Sequence, residues 1–284
     1  MAYENLKDML WRARKGAYAV GAFNIVDPVT VQAVIRAAEA KKAPVIVQTS
    51  AKTVKLLGCA CIAATVKALA VISPVPVALH LDHCMDIKVI RDCIDSGWSS
   101  VMIDASSLPF EENVRLTSEV VEMARPHNVT VEGELGAIVG VEDEIHVKES
   151  ESHLADPRQA VEFVKRTGVD VFAPAIGTAH GVYKGEPKIA FDVLSEINAR
   201  VECCLAIHGG TGLSDEVFSR CIREGGTKIN VSTQIKHTFR DSLFTYMKDK
   251  PGDYEPVRIL EHMRRETQSV VESFIDKFGS AGKA

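Results

Sequence analysis

Apolar positions along this chain fall into two rhythms. Short runs with little polar interruption stand at 18–24 "YAVGAFN", 44–50 "PVIVQTS", 75–83 "VPVALHLDH", 100–106 "SVMIDAS", 129–136 "VTVEGELG", 169–177 "VDVFAPAIG", 203–210 "CCLAIHGG" and 227–233 "TKINVST". Between them lie amphipathic stretches at helical spacing, such as "DPVTVQAVIRAAEAKK" and "FEENVRLTSEVVEMARPHN". The first of these opens with Asp27 as an N-cap and Pro28 at the first helical position. Near-continuous apolar runs alternating with helices predict a parallel sheet covered on its faces. Eight βα units in about 230 residues predict a closed (β/α)8 TIM barrel, an α/β fold in a single domain over the whole chain. The competitor is an open doubly wound sheet, and the lack of GxGxxG after the first strand lowers its dinucleotide-binding form. "MAYENLKDMLWRARKG" predicts an N-terminal helix, and a helical extension is expected over about 256–279.

The polar residues are concentrated at the ends of the apolar runs. In order they are Asn24, Ser50, Asp82 with His83, Asp104, Glu132 and Glu134, His180 in "GTAHG", His208 in "HGGTG", and Asn230 in "NVST". All strand ends of a parallel barrel open on one face, so residues scattered in sequence converge there. His83, His180 and His208 supply the imidazole count of an open catalytic zinc site. The four carboxylates suit acid–base work, orientation of ligands, or further metal ligation. His80 shares the facing of Asp82, two residues on, and reads equally as a partner of the site or as part of a packed polar layer. Gly209, Gly210, Thr211 and Gly212 precede a helix that Ser214 should cap, and "NVST" ends the last strand. Loops after the seventh and eighth strands are where this barrel commonly binds phosphate on free backbone N–H groups.

Composition narrows the function classes. The 284 residues are 46% hydrophobic and 25% charged, with a net charge of −5 and no basic run, which argues against a nucleic-acid footprint. Seven cysteines, two of them adjacent and none in a CxxC pair, form neither a disulfide framework nor a zinc ribbon. They read as small core residues of a reducing compartment. There is no signal-peptide core and no apolar run near the roughly 20 residues that cross a bilayer, so a cytoplasmic protein without membrane contact is expected. The segment 136–157, "GAIVGVEDEIHVKESESHLADP", is too long and charged for a minimal βα connection and is expected to be a mobile loop serving as a lid.

"GAFN", "LHLDH", "MIDAS", "EGELG", "AIGTAHG", "HGGTG" and "KINVST", closing in "FGSAGKA", keep an order and spacing that resembles the class II, zinc-dependent fructose- or tagatose-bisphosphate aldolases. The likeness runs from about residue 4 to the C-terminus and is taken as nearest the tagatose-type branch. It implies reversible cleavage of a ketose (bis)phosphate to dihydroxyacetone phosphate and an aldehyde, with zinc stabilising the enediolate. It further implies His83, His180 and His208 as zinc ligands, Asp104 and Glu134 around a second cation (divalent or monovalent), and Asp82 as the proton carrier on the aldehyde-side oxygen. Gly181, Gly209, Gly210, Thr211, Asn230, Val231, Ser232 and Thr233 match the dihydroxyacetone-phosphate cradle, with Lys184 as a further phosphate contact. Asn24 and Ser50 match substrate-side positions. Glu142 matches the loop base acting on the dihydroxyacetone-phosphate carbon, with Glu144 as the fallback.

Ser232 departs from the family pattern, where fructose enzymes carry an acid and tagatose enzymes an alanine. "HGGTG" likewise replaces the "HGASG" more usual in tagatose-type relatives. The aldehyde half of the substrate therefore stays open among tagatose, fructose and deoxy-keto-gluconate phosphates. A metal-dependent hydrolase on the same barrel would want an HxH pair on the first strand, where "GAFN" has none. A non-catalytic partner subunit would be expected to lose ligands that this chain keeps. The partner expected is a small sugar phosphate, in a homodimer or homotetramer.

Overall fold

The computed structural model describes residues 3–142, 145–147, 153–181, 185 and 187–284, with the side chains of 139–142 and 145–147 also outside that description. Eight parallel strands close a barrel in the order β1 (Val20–Asn24), β2 (Val45–Ser50), β3 (Val77–Asp82), β4 (Ser100–Ile103), β5 (Thr130–Leu135), β8 (Val171–Pro174), β10 (Cys204–Ile207) and β11 (Gly226–Val231), which returns to β1. Each predicted apolar run holds one of these strands, shifted or trimmed at its ends; β11 starts at Gly226, one residue before its predicted run.

Every residue of these strands is buried, as expected of a sheet shielded on both faces. Alternation sorts their side chains. Outward residues such as Leu79, Leu81, Val101, Phe172 and Leu205 join the main core under the helices. Inward residues near the N-terminal end of the barrel are small and apolar: Val20, Ala22, Ile46, Ala78, Val171, Ala173, Cys204 and Ala206. The N-terminal helix α1 (Leu6–Gly16) lays Leu6, Met9, Leu10 and Ala13 against them and so closes that end. Toward the C-terminal end the inward positions turn polar, and the register holds them level: Asn24 beside Gln48, Gln48 beside His80, and Ser50 beside Asp82.

Local capping sets where the helices begin. In α2 (Pro28–Lys41), Asp27 accepts from the Thr30 N–H, Thr30 returns a bond to the Asp27 backbone, and Pro28 fills the first turn. Ser214 caps α9 (Asp215–Arg223) by accepting from the Val217 N–H. Two long helices, α10 (Thr233–Asp249) and α11 (Pro256–Lys277), finish the chain, and α11 packs along α2. Among the described residues no single helix is long and apolar enough to cross a membrane.

Within the segment 136–157, β6 (Val139–Glu142) and β7 (Ile145–Val147) form an antiparallel hairpin, and β6 pairs in parallel with β9 (Ala179–His180). The apolar alternation of "VGVEDEIHV" carries this hairpin, and the acidic run at the centre of that sequence masks the period. Glu144 and Lys184 lie outside the described residues, as does the Glu142 side chain.

Candidate active site

The strand ends gather the sequence-predicted residues at one mouth. His83 follows β3 with φ +40°, a left-handed conformation uncommon for a residue with a Cβ and one that tends to mark functional positions. Its Nδ1 lies 2.7 Å from Asp104 Oδ2, just past β4. Asp104 also accepts from the Ser106 hydroxyl at 2.7 Å and from its backbone N–H at 3.2 Å. Burial alone would raise the Asp104 carboxyl; the His83 bond and Ser106 outweigh it and bring the group to about 2. An ionised Asp104 only accepts, so His83 donates through Nδ1 and presents Nε2 as an imine nitrogen.

His208, just past β10, is treated the same way from the other side. Its Nε2 lies 2.7 Å from Glu132 Oε1 on β5, so that nitrogen donates and Nδ1 is the imine. The two imine nitrogens, His83 Nε2 and His208 Nδ1, stand 2.9 Å apart. Two lone pairs at that distance repel unless a proton or a metal ion is shared between them. Burial holds the His208 ring below the ordinary imidazole range, against the upward pull of Glu132, which keeps it neutral and able to ligate. The half-buried His180 on β9 brings the third ring, its centroid 5.1 Å from that of His83 and 6.3 Å from that of His208. Donor atoms of the three imidazoles lie within 4.8 Å of one another, and so do those of His83, Asp104 and Glu134. A borderline-soft divalent ion fits the three nitrogens.

Asp82, fully buried at the end of β3, is held by three amides. Asn230 Nδ2 donates to Oδ1 at 3.0 Å, while Gln48 Nε2 at 3.2 Å and Asn24 Nδ2 at 3.4 Å donate to Oδ2. Gln48 also donates to Asn24 Oδ1 at 2.7 Å and so orients one amide of the cradle.

Beside the histidines, His180, Gly181, Gly209, Gly210, Thr211, Asn230, Ser232 and Thr233 line a recess. Gly209 has φ +71°, and a Cβ there would sit 2.5 Å from the Ala179 carbonyl oxygen; one at Gly210 would sit 2.6 Å from that of Asn230. Only glycine lets this loop lie flat between β9 and β11. Ser232 is the N-cap residue of α10 without making a side-chain cap bond, and its buried Oγ has no hydrogen-bond partner among the described residues. Val231, expected in the cradle, turns its side chain outward into the main core. Ser50 is buried at the end of β2, in register with Asp82.

Glu132, flagged in the sequence, and His80, weighed there as a partner of the site, are joined by Lys228, which was not singled out. Lys228 on β11 is fully buried, with Nζ 3.1 and 3.0 Å from the two oxygens of Glu132. His80 bonds Ser100 Oγ through Nδ1 at 2.7 Å and points Nε2 at Glu132 Oε2, 3.6 Å away. Burial raises the Glu132 carboxyl; Lys228 and the bond from His208 reverse that and hold it well below the usual carboxylate range. The signal for Lys228 and Gln48 was period two: each stands two residues before a flagged strand-end residue, Asn230 or Ser50, and shares its facing.

A closed parallel barrel with clustered imidazoles, carboxylates and a glycine-built recess at its C-terminal mouth defines a barrel enzyme. A family model described as "Fructose-bisphosphate aldolase class-II" matches residues 4–283. The chain is 42% identical over 287 residues to the fructose-bisphosphate aldolase of Geobacillus stearothermophilus, covering 100% of this chain and 99% of that protein. It is 39% identical over 277 residues to the D-tagatose-1,6-bisphosphate aldolase subunit GatY of Klebsiella oxytoca, covering 98% of each. The crystal structure of the YdjI aldolase from Escherichia coli K12 is similar with a TM-score of 0.87 at 32% identity, covering 99% of both chains. The chain belongs to the class II fructose-bisphosphate aldolase family and is a carbon–carbon lyase.

Proposed function

We propose that this aldolase reversibly cleaves a ketose 1,6-bisphosphate of the tagatose or fructose type to dihydroxyacetone phosphate and an aldehyde, with one zinc ion held by His83, His180 and His208. The observation that carries the metal is the pair of facing imine nitrogens 2.9 Å apart, each on a ring whose other nitrogen is committed to a buried carboxylate. Zinc bound there would supply Lewis-acid polarisation of the substrate carbonyl. The cluster of His83, Asp104 and Glu134 supports a place for a second cation.

Asp82 takes the proton from the hydroxyl on the carbon that becomes the aldehyde. As that C–O bond gains double-bond character, the adjoining carbon–carbon bond breaks and its electron pair passes to the dihydroxyacetone-phosphate half. Asn24, Gln48 and Asn230 hold the Asp82 carboxyl in place by donating to both its oxygens. Glu142 returns a proton to the dihydroxyacetone-phosphate carbon, with Glu144 as the fallback. Gly181, Gly209, Gly210, Thr211 and Asn230 to Thr233 form the phosphate cradle, which Lys184 supplements, while Asn24 and Ser50 contact the substrate. The unbonded Ser232 hydroxyl in the recess supports a contact that bears on which sugar phosphate is preferred.

Exposed Phe244, Met247, Val257 and Leu260 on α10 and α11 support assembly as a homodimer or homotetramer. Seven free cysteines support a reducing, cytoplasmic setting.

Metal analysis of the purified protein, followed by a coupled assay for dihydroxyacetone phosphate on fructose, tagatose and deoxy-keto-gluconate substrates, tests the reading. One zinc per chain is expected, chelation should abolish activity, and His208→Ala should lose metal and activity together. Full activity in metal-free protein would overturn the zinc assignment; no turnover of any of these ketose phosphates would overturn the substrate class.

A further inference from the structure

The barrel interior holds a complete ion pair that the proposed chemistry does not use. Lys228 and Glu132 are both fully buried, and the ammonium faces both carboxylate oxygens at 3.1 and 3.0 Å. Hydrophobic side chains of the same volume would serve stability as well or better, because desolvating two charges consumes most of their attraction. The pair therefore calls for a role other than stability, and its neighbours indicate one. Glu132 Oε1 also accepts from His208 Nε2 at 2.7 Å, while buried His80 Nε2, without a hydrogen-bond partner among the described residues, stands 3.6 Å from Glu132 Oε2.

Two imidazoles thus compete for one carboxylate. An ammonium has only donors, so a carboxylate gripped at both oxygens is fixed in plane and can offer its neighbours nothing but acceptors. We infer that Lys228 is a positioning residue, which clamps the Glu132 carboxylate so that it holds His208 as the Nε2–H tautomer with Nδ1 turned into the site. Released from Lys228, the carboxylate can swing toward His80 and give up the His208 bond. His208 would then be free to exchange tautomers and to place an N–H where a metal ion needs a lone pair. This inference rests on the reading of His208 as a metal ligand, but its first consequence belongs to the metal-free protein.

The primary test is therefore made without metal. Long-range ¹H–¹⁵N spectra of the histidine-labelled apoprotein, with His208 assigned by loss of its signals in His208→Ala, report the tautomer directly. Wild type should carry the His208 proton on Nε2; a His208 protonated at Nδ1 alone overturns the inference outright. Lys228→Met should give a mixed population and weaken zinc binding by roughly 10- to 100-fold, the usual range for loss of a group behind a ligand.

Because Lys228→Met leaves a buried carboxylate without its counter-ion, the double variant Lys228→Met/Glu132→Gln separates fold from function. It removes both charges, so its melting temperature should recover toward wild type, while the mixed tautomer and weakened zinc affinity persist. If zinc affinity returns to within twofold along with stability, Lys228 is structural only and the inference fails. If wild type keeps the Nε2–H tautomer yet binds no zinc, the metal assignment fails and the clamp stands.

Discussion

At the scale of single residues, the site is built by committing one side of each functional group so that its other side is defined. His83 and His208 each spend one nitrogen on a carboxylate, and Asp82 receives amide protons on both its oxygens. None of the bonds described for Asp82 reaches a histidine, so proton transfer and metal binding should separate on mutation. Asp82→Ala is expected to lower kcat by roughly 10²- to 10⁴-fold, the range for removing a general acid–base group, with zinc content unchanged. Metal analysis and the coupled assay on one preparation check both halves; loss of zinc in that variant would place Asp82 in the metal site instead. Asp82, His83 and His208 were legible in the sequence because ionisable groups ending apolar runs are costly unless partnered. Gln48 and Lys228 were not, since a single polar residue inside a run reads as tolerance of burial. What they bond to comes from strands far away in sequence, 34 residues for Gln48 and 96 for Lys228.

At the scale of elements, the mouth depends on small additions to the barrel rather than on the barrel alone. The two-residue strand β9 carries His180, is tied to the hairpin through β6, and packs against the glycine loop after β10. Because Gly209 combines φ +71° with a would-be Cβ 2.5 Å from the Ala179 carbonyl, a side chain there should push β9 and His180 away together. Gly209→Ala is expected to cost on the order of 1–3 kcal/mol, as for other strained backbone positions, and to lower the melting temperature by a few degrees. Phosphate affinity and zinc affinity should fall in parallel, read by inorganic phosphate titration and by metal titration. A variant that loses stability but keeps both affinities would show that the loop and β9 are uncoupled. The eight barrel strands were legible because each is a dense apolar run; the hairpin was not, because its strands of four and three residues are short and charged residues interrupt their sequence. Pairing to β9, far along the chain, completes that sheet, and no local pattern announces it.

At the scale of the whole molecule, the thiols spread through the barrel link its packing to pH. The closed barrel could be counted from the sequence, and so could the reading of most of the cysteines as small core residues: Cys84, Cys93, Cys203, Cys204 and Cys221 are buried, leaving Cys59 half-buried and Cys61 exposed. Which of the seven are inside depended on how helices roll onto the sheet, and the spacing alone did not say. Burial pushes the Cys203 and Cys221 thiols up to about 12 and Cys204 to about 11, and it raises Cys93 as well; the Tyr3 hydroxyl, also buried, rises to about 12. A group whose folded value lies above its unfolded one gives stability that is fully present below the unfolded value and is lost as pH climbs toward the folded one. For the thiols that window opens near pH 9 and extends past 11. Each group that ionises only on unfolding removes on the order of 1 kcal/mol per pH unit, so several acting together make alkaline loss steep. Urea unfolding in the presence of reductant, from pH 8 to 10.5, should show a midpoint that is level at first and then falls with increasing slope. Cys221→Ala, remote from the site on α9, should reduce that slope by about one proton, at the cost of some packing at all pH values. A midpoint that stays level to pH 10.5 would mean that the thiols ionise as readily inside the barrel as out of it, contrary to their burial.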